Sequence, residues 1–84
     1  MAKLELYGLR FNASQMIIVD DFINRLDGFS LVTIHQLSNG ECELYTYQAD
    51  GLAYDTFKKF NSKEFLLGYF SGANDALDNL IHFA

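Results

Sequence analysis

Phe29 to Phe60 reads FSLVTIHQLSNGECELYTYQADGLAYDTFKKF. Two turn dipeptides divide it into three runs. Phe29–Ser38 is rich in Leu, Val, Ile and Thr, and reads as a strand. Asn39-Gly40 follows, a dipeptide suited to the positive φ angles of a tight hairpin turn. Glu41–Ala49 is the returning strand. Asp50-Gly51 repeats the signal, so Leu52–Phe60 is expected to return again. Leu52, Thr56, Phe57 and Phe60 also fit one face of a helix, and the strand is the preferred reading.

Two-residue turns set the register of both hairpins. The first places Leu37 opposite Cys42, His35 opposite Leu44, Ile34 opposite Tyr45 and Val32 opposite Tyr47. The second places Ala49 opposite Leu52, Tyr47 opposite Tyr54, Tyr45 opposite Thr56 and Glu43 opposite Lys58. One face then carries Val32, Ile34, Tyr45, Tyr47, Ala49, Leu52 and Tyr54, with Gln36, Glu43 and Lys58 at its far end. This is the face expected to lie under the helices. The other face carries Leu31, Thr33, His35, Leu37, Cys42, Leu44, Thr46 and Phe57, with Gln48, Ala53 and Asp55.

Outward from this run, Leu4 and Leu6 alternate with Lys3 and Glu5, a half-buried strand. Gly8 interrupts it, and Leu9 and Phe11 resume on the other parity, so a β-bulge is expected near Tyr7 and Gly8. Ser14 is a good N-cap. From Gln15 to Leu26, Ile18, Val19, Phe22, Ile23 and Leu26 form a helical stripe, with Asp20, Asp21, Asn24, Arg25 and Asp27 away from it. The β-branched run Ile17-Ile18-Val19 lowers helix propensity, but the polar positions favour the helix. Gly28 is its natural stop.

At the other end, Ser62 to Phe83 reads SKEFLLGYFSGANDALDNLIHF. Phe65, Leu66, Tyr69, Phe70, Ala73, Ala76, Leu77, Leu80 and Ile81 recur at helical spacing. Asn61 or Ser62 caps the start, and Gly72 offers a kink or an end, with a second short helix from Asn74. The order is β-α-β-β-β-α: an α+β domain over 1–84, with two helices on one face of a mostly antiparallel sheet.

Half of the 84 residues are hydrophobic, with eight Phe and five Tyr, too apolar for disorder. Six Lys or Arg against eleven Asp or Glu leave a net charge of −5. That disfavours direct nucleic-acid binding and anionic membranes, both of which are met with Lys and Arg. An acidic protein instead suits a basic surface on another protein. Cys42 is the one cysteine, so no disulfide forms within the chain. No signal peptide or membrane-length apolar run is legible, and the chain is expected in the cytoplasm.

No catalytic or metal site is expected, and no cofactor. His35, His82 and Cys42 lack paired ligand spacing. A small-ligand or enzymatic site using His35 and Cys42 is the lesser alternative, since the two share a face but are not opposed, Leu44 standing across from His35. Two surfaces are candidates for a partner. One is the sheet face of Leu31, His35, Leu37, Leu44 and Phe57, which the helices would leave uncovered. The other is an acidic surface of Asp20, Asp21, Asp27, Glu41 and Glu43.

The run GYFSGANDAL, Gly68 to Leu77, preceded by FNSKEF, resembles the C-terminal helices of small uncharacterised proteins encoded by bacteriophages and mobile elements. The resemblance covers about a quarter of the chain and rests on Gly68-Tyr69 and Asn74-Asp75-Ala76-Leu77. It implies a protein that binds and inhibits a host protein, such as a CRISPR or restriction component, and it implies no catalytic residue. The expectation is therefore a small acidic, non-enzymatic protein-binding module. The alternative is a homodimeric structural or regulatory module with the open sheet face as its interface.

Overall fold

The computed structural model describes residues 2–26, 28–48 and 54–72. Their order is β1 (Lys3–Tyr7), α1 (Ala13–Arg25), β2 (Phe29–Gln36), β3 (Cys42–Gln48), β4 (Tyr54–Phe60) and α2 (Lys63–Ser71). This is the α+β fold read from the sequence. The strands form a single sheet in the order β1-β2-β3-β4. β1 and β2, joined through α1, are parallel; the other two pairings are antiparallel. Leu52–Phe60 is thus a strand over its described part.

Asn12, not Ser14, caps α1. Its side chain accepts from the Gln15 backbone N–H at 2.8 Å, while the Gln15 side chain accepts from the Asn12 N–H at 2.9 Å. This reciprocal box satisfies two amides that the first turn leaves without partners. Val19 and Ile23 are buried, and Met16, Ile18, Phe22 and Leu26 pack partly against the same core. Ile17 points outward at 71% exposure. Ser62 caps α2, and Gly72 closes it in the left-handed conformation at φ 70°, a geometry that costs little without a Cβ. The stripe from Ala73 to Ile81, the second helix from Asn74, His82, the Asp50-Gly51 turn and Asp27 lie outside the described residues.

The expected bulge at Tyr7 and Gly8 is not formed. β1 stops at Tyr7, and Gly8 turns at φ 80°, where an added Cβ would meet the Gln36 carbonyl oxygen at 3.0 Å. Leu9 and Phe11 reach the core from the connection instead.

The first hairpin departs from expectation by one residue. The Leu37 N–H donates to the Glu41 carbonyl at 2.8 Å, and the Gly40 N–H to the Leu37 carbonyl at 2.9 Å. The loop is therefore the three residues Ser38, Asn39 and Gly40, with Gly40 at φ 92°. A three-residue loop also places glycine at a left-handed position, so the dipeptide satisfies either length. Ile34 then pairs with Leu44, not Tyr45, and Gln36 pairs with Cys42. A slip of one residue exchanges the two faces of a strand. Cys42, Leu44 and Thr46 join Val32 and Ile34 on the inner face, while Tyr45 and Tyr47 join Leu31, Thr33 and His35 outside.

The second hairpin begins in the expected register, Tyr47 with Tyr54, then slips by one to Thr46 with Thr56. Asp55 is the additional residue of this bulge. Glu43 consequently pairs with Lys59 rather than Lys58, Phe57 faces outward, and Phe60 turns in opposite Cys42.

Both helices cover the inner face, as expected. Val32, Ile34, Cys42, Leu44 and Phe60 of the sheet form one cluster with Val19 and Ile23 of α1 and Leu66, Leu67 and Phe70 of α2. The helices meet through Phe22 stacked on Phe70, with centroids 4.2 Å apart, and through Arg25 Nη2 donating to the Phe70 carbonyl at 2.8 Å. Phe60 packs on Tyr69, over whose ring Lys58 Nζ lies 5.0 Å from the centroid.

Candidate functional site

The outer face of the sheet is a grid fixed by strand register. Along one level lie Tyr7, His35, Glu43 and Lys59; along the next lie Glu5, Thr33, Tyr45 and Phe57. Lys3, Leu31 and Tyr47 share the third. Neither helix lies on this side.

Rings run across all four strands of it. Tyr7 stacks on His35 at 4.7 Å and 12°, His35 meets Tyr45 edge-on at 5.4 Å, and Tyr45 tilts against Phe57 at 5.0 Å. Such ring pairs contribute beyond their buried area, which holds the row in one arrangement. Its two ends stay open, Tyr7 at 47% and Phe57 at 44% exposure. At the centre, His35 Nε2 and Thr33 Oγ1 are 3.2 Å apart.

Carboxylates accompany the rings in a repeated pattern. Tyr7 Oη donates to Glu5 at 2.6 Å, and Tyr45 Oη donates to Glu43 at 3.3 Å. Each is a Glu-Leu-Tyr triplet, residues 5–7 and 43–45, with its central Leu turned to the inner face beside Ile34. β1 and β3 run in opposite directions on either side of β2. The outer side chains of the triplets are therefore related by an approximate two-fold passing between Thr33 and His35. Lys3 lies 3.6 Å from Glu5, and Lys59 lies 3.1 Å from Glu41. Among the described residues Glu43 has no ion-pair partner.

The hydrogen bond from Tyr7 is the main cause holding the Glu5 carboxyl below its usual range; Lys3 adds to it. The same bond pushes the Tyr7 phenol above its usual range. Tyr7 therefore favours the folded state below its ordinary pKa of about 10, an effect lost as pH rises through its higher folded value. The Glu5 contribution is present above the ordinary carboxylate range and is lost as pH falls through the lowered value. Both groups are exposed, so solvent keeps these effects small. Glu5→Gln is expected to lower the pH at which Tyr7 ionises, read from phenolate ultraviolet absorbance against wild type. An unchanged titration would mean that the bond is absent in solution.

Of the five residues expected on a partner face, Leu31, His35 and Phe57 share the outer face. Leu37 sits at the mouth of the first hairpin. Leu44 does not belong there: it is 3% exposed, in the core beneath the helices. The slipped turn is the reason. The same slip separates His35 from Cys42, which lies fully buried on the opposite face, so these two do not form a site. Burial pushes the Cys42 thiol up, away from the thiolate that nucleophilic chemistry requires.

The five-carboxylate surface is not assembled either. Asp20 and Asp21 are on the exposed side of α1, with Asp21 3.4 Å from Arg25. Glu43 faces away from both helices on the other side of the sheet. Glu41 lies by the first hairpin, its carboxyl lowered chiefly by Asn39 and then by Lys59.

Tyr7, Tyr45, Tyr47 and Glu5 are the outer-face residues that sequence reasoning missed. The repeat of Glu-Leu-Tyr was the available signal, since alternation places its Glu and Tyr together on whichever face its Leu leaves. Among the described residues, no three His, Cys, Asp or Glu side chains are grouped to hold a metal ion. No described helix is long and apolar enough to cross a membrane. Compared with known protein families, with curated proteins and with solved structures, the chain finds no match.

Proposed function

We propose that the chain is a non-enzymatic protein-binding module that engages its partner through the outer face of the sheet. The observation that carries this is the unbroken row Tyr7–His35–Tyr45–Phe57 on the side opposite both helices. Tyrosine and phenylalanine are enriched in the cores of protein interfaces, where they add large area at small entropic cost. An exposed apolar patch rimmed by Glu and Lys suits such a contact. The net charge of −5 disfavours phosphate-bearing ligands for the same rings. Inhibition of a host protein, which the C-terminal run suggests, would be exerted through this contact. A homodimer would use the same face.

Photo-crosslinking distinguishes these readings. A benzophenone side chain at position 57 is expected to give adducts with another protein in the cell that encodes the chain. At position 17, on the outer side of α1, it is expected to give none. Adducts at 57 with a second copy would establish the homodimer. Adducts at 17 alone would overturn the proposal.

A further inference from the structure

If the outer face is the contact, its chemistry also indicates the kind of partner it takes. We infer that it receives two arginine side chains of a basic protein segment, one at each Glu-Leu-Tyr triplet. A guanidinium is a planar cation that stacks on aromatic faces and donates from its edge to a carboxylate. Each triplet offers both partners together: a tyrosine ring and a carboxylate hydrogen-bonded to the same tyrosine. The phenol occupies one site on each carboxylate, which has about four acceptor positions. Glu43 is the stronger candidate of the two, because among the described residues it makes no ion pair: Lys59, its cross-strand neighbour, is held by Glu41 at 3.1 Å. At Glu5 an arriving arginine competes with Lys3 at 3.6 Å, an exposed pair worth little.

The geometry sets a spacing. Glu5 and Glu43 stand on strands two apart and on adjacent same-face levels. With about 4.8 Å between strands and about 6.7 Å between such levels, their Cα atoms lie roughly 12 Å apart. An extended segment presents side chains on one side at that interval when they are four residues apart, at about 13 Å. The overall charge of −5 draws such a segment in.

Sheet-borne aromatic rows also stack the bases of single-stranded nucleic acid, but those surfaces track the backbone with free cations. Here Lys3 and Lys59 each face a carboxylate, and the carboxylates of the face would repel phosphate. Basic protein is therefore the better fit.

The test is an NMR titration of the full chain, following backbone amides. The probes are a peptide containing Arg-Ser-Gly-Ser-Arg, its Lys-for-Arg analogue, and oligothymidylate. Shifts with the arginine peptide confined to β1, β2 and β3 around Glu5, His35 and Glu43 are expected, with binding several-fold tighter than for the lysine analogue. The double variant Glu5→Gln with Glu43→Gln keeps an acceptor for each phenol and is expected to weaken binding at least tenfold. Equal binding of both peptides, or shifts centred on Asp20 and Asp21, would overturn the inference, as would preferential binding of oligothymidylate. No shift with either peptide would overturn it as well. In those cases protein adducts from position 57 would show that the face still binds protein; loss of those adducts would sink the broader reading.

Discussion

Leu44→Glu is expected to leave the chain unfolded at 25 °C, whereas Phe57→Glu leaves it folded. The two residues differ in which way the sheet turns them. Leu44 is 3% exposed, opposite Ile34 and beneath both helices. A carboxylate there must either ionise without a partner or take up a proton, and the effective penalty for an unpaired buried ion is several kcal/mol. The leucine's own burial, about 1.5–3 kcal/mol, is lost as well. Native domains hold only about 5–15 kcal/mol in total, and one of this size sits at the low end. Phe57 lies on the outer face at 44% exposure, where a carboxylate keeps its water. Circular dichroism with a thermal melt separates the outcomes. Two folded variants would restore the two-residue hairpin register, in which Leu44 shares the outer face with Phe57.

Phe70→Ala is expected to cost about 3–5 kcal/mol, the range for removing a large buried aromatic side chain. Phe70 is 1% exposed and stacks on Phe22, so its ring joins α2 to α1 above the sheet. The variant removes that junction and leaves a cavity between three elements. Urea unfolding measures the loss as a fall in midpoint at unchanged slope. Ser71→Ala, an exposed position one residue on, is expected to change stability by less than about 0.5 kcal/mol. Equal effects at the two positions would mean that α2 is rotated from the observed packing.

The element types and their order were legible because each rests on local spacing. Helical recurrence of Val19, Phe22 and Ile23 and of Phe65, Leu66, Tyr69 and Phe70 marked the helices. Leu-, Val- and Tyr-rich runs bounded by glycine marked the strands. Leu31 and His35 lie on the outer face as expected, since the parity of β2 follows from Val32 and Ile34 alone; Phe57 does so because the bulge at Asp55 undoes the slip of the first hairpin.

What the sequence determined by itself was therefore an α+β chain in the order β-α-β-β-β-α; among the described residues, both helices lie on one face of its sheet. The identity of that face was settled only in three dimensions. Asn39-Gly40 serves a loop of two residues or of three, and local turn preference favours the shorter. Packing separates them sharply. One register buries Cys42 and Leu44; the other would bury Tyr45 and Tyr47, whose hydroxyls then require partners in an apolar core. The bulge at Asp55 repeats the choice, turning Phe60 inward against Cys42 and leaving Phe57 outside. Burial of apolar surface beneath two helices outweighed turn chemistry, and so placed the aromatic row and its paired carboxylates on the surface.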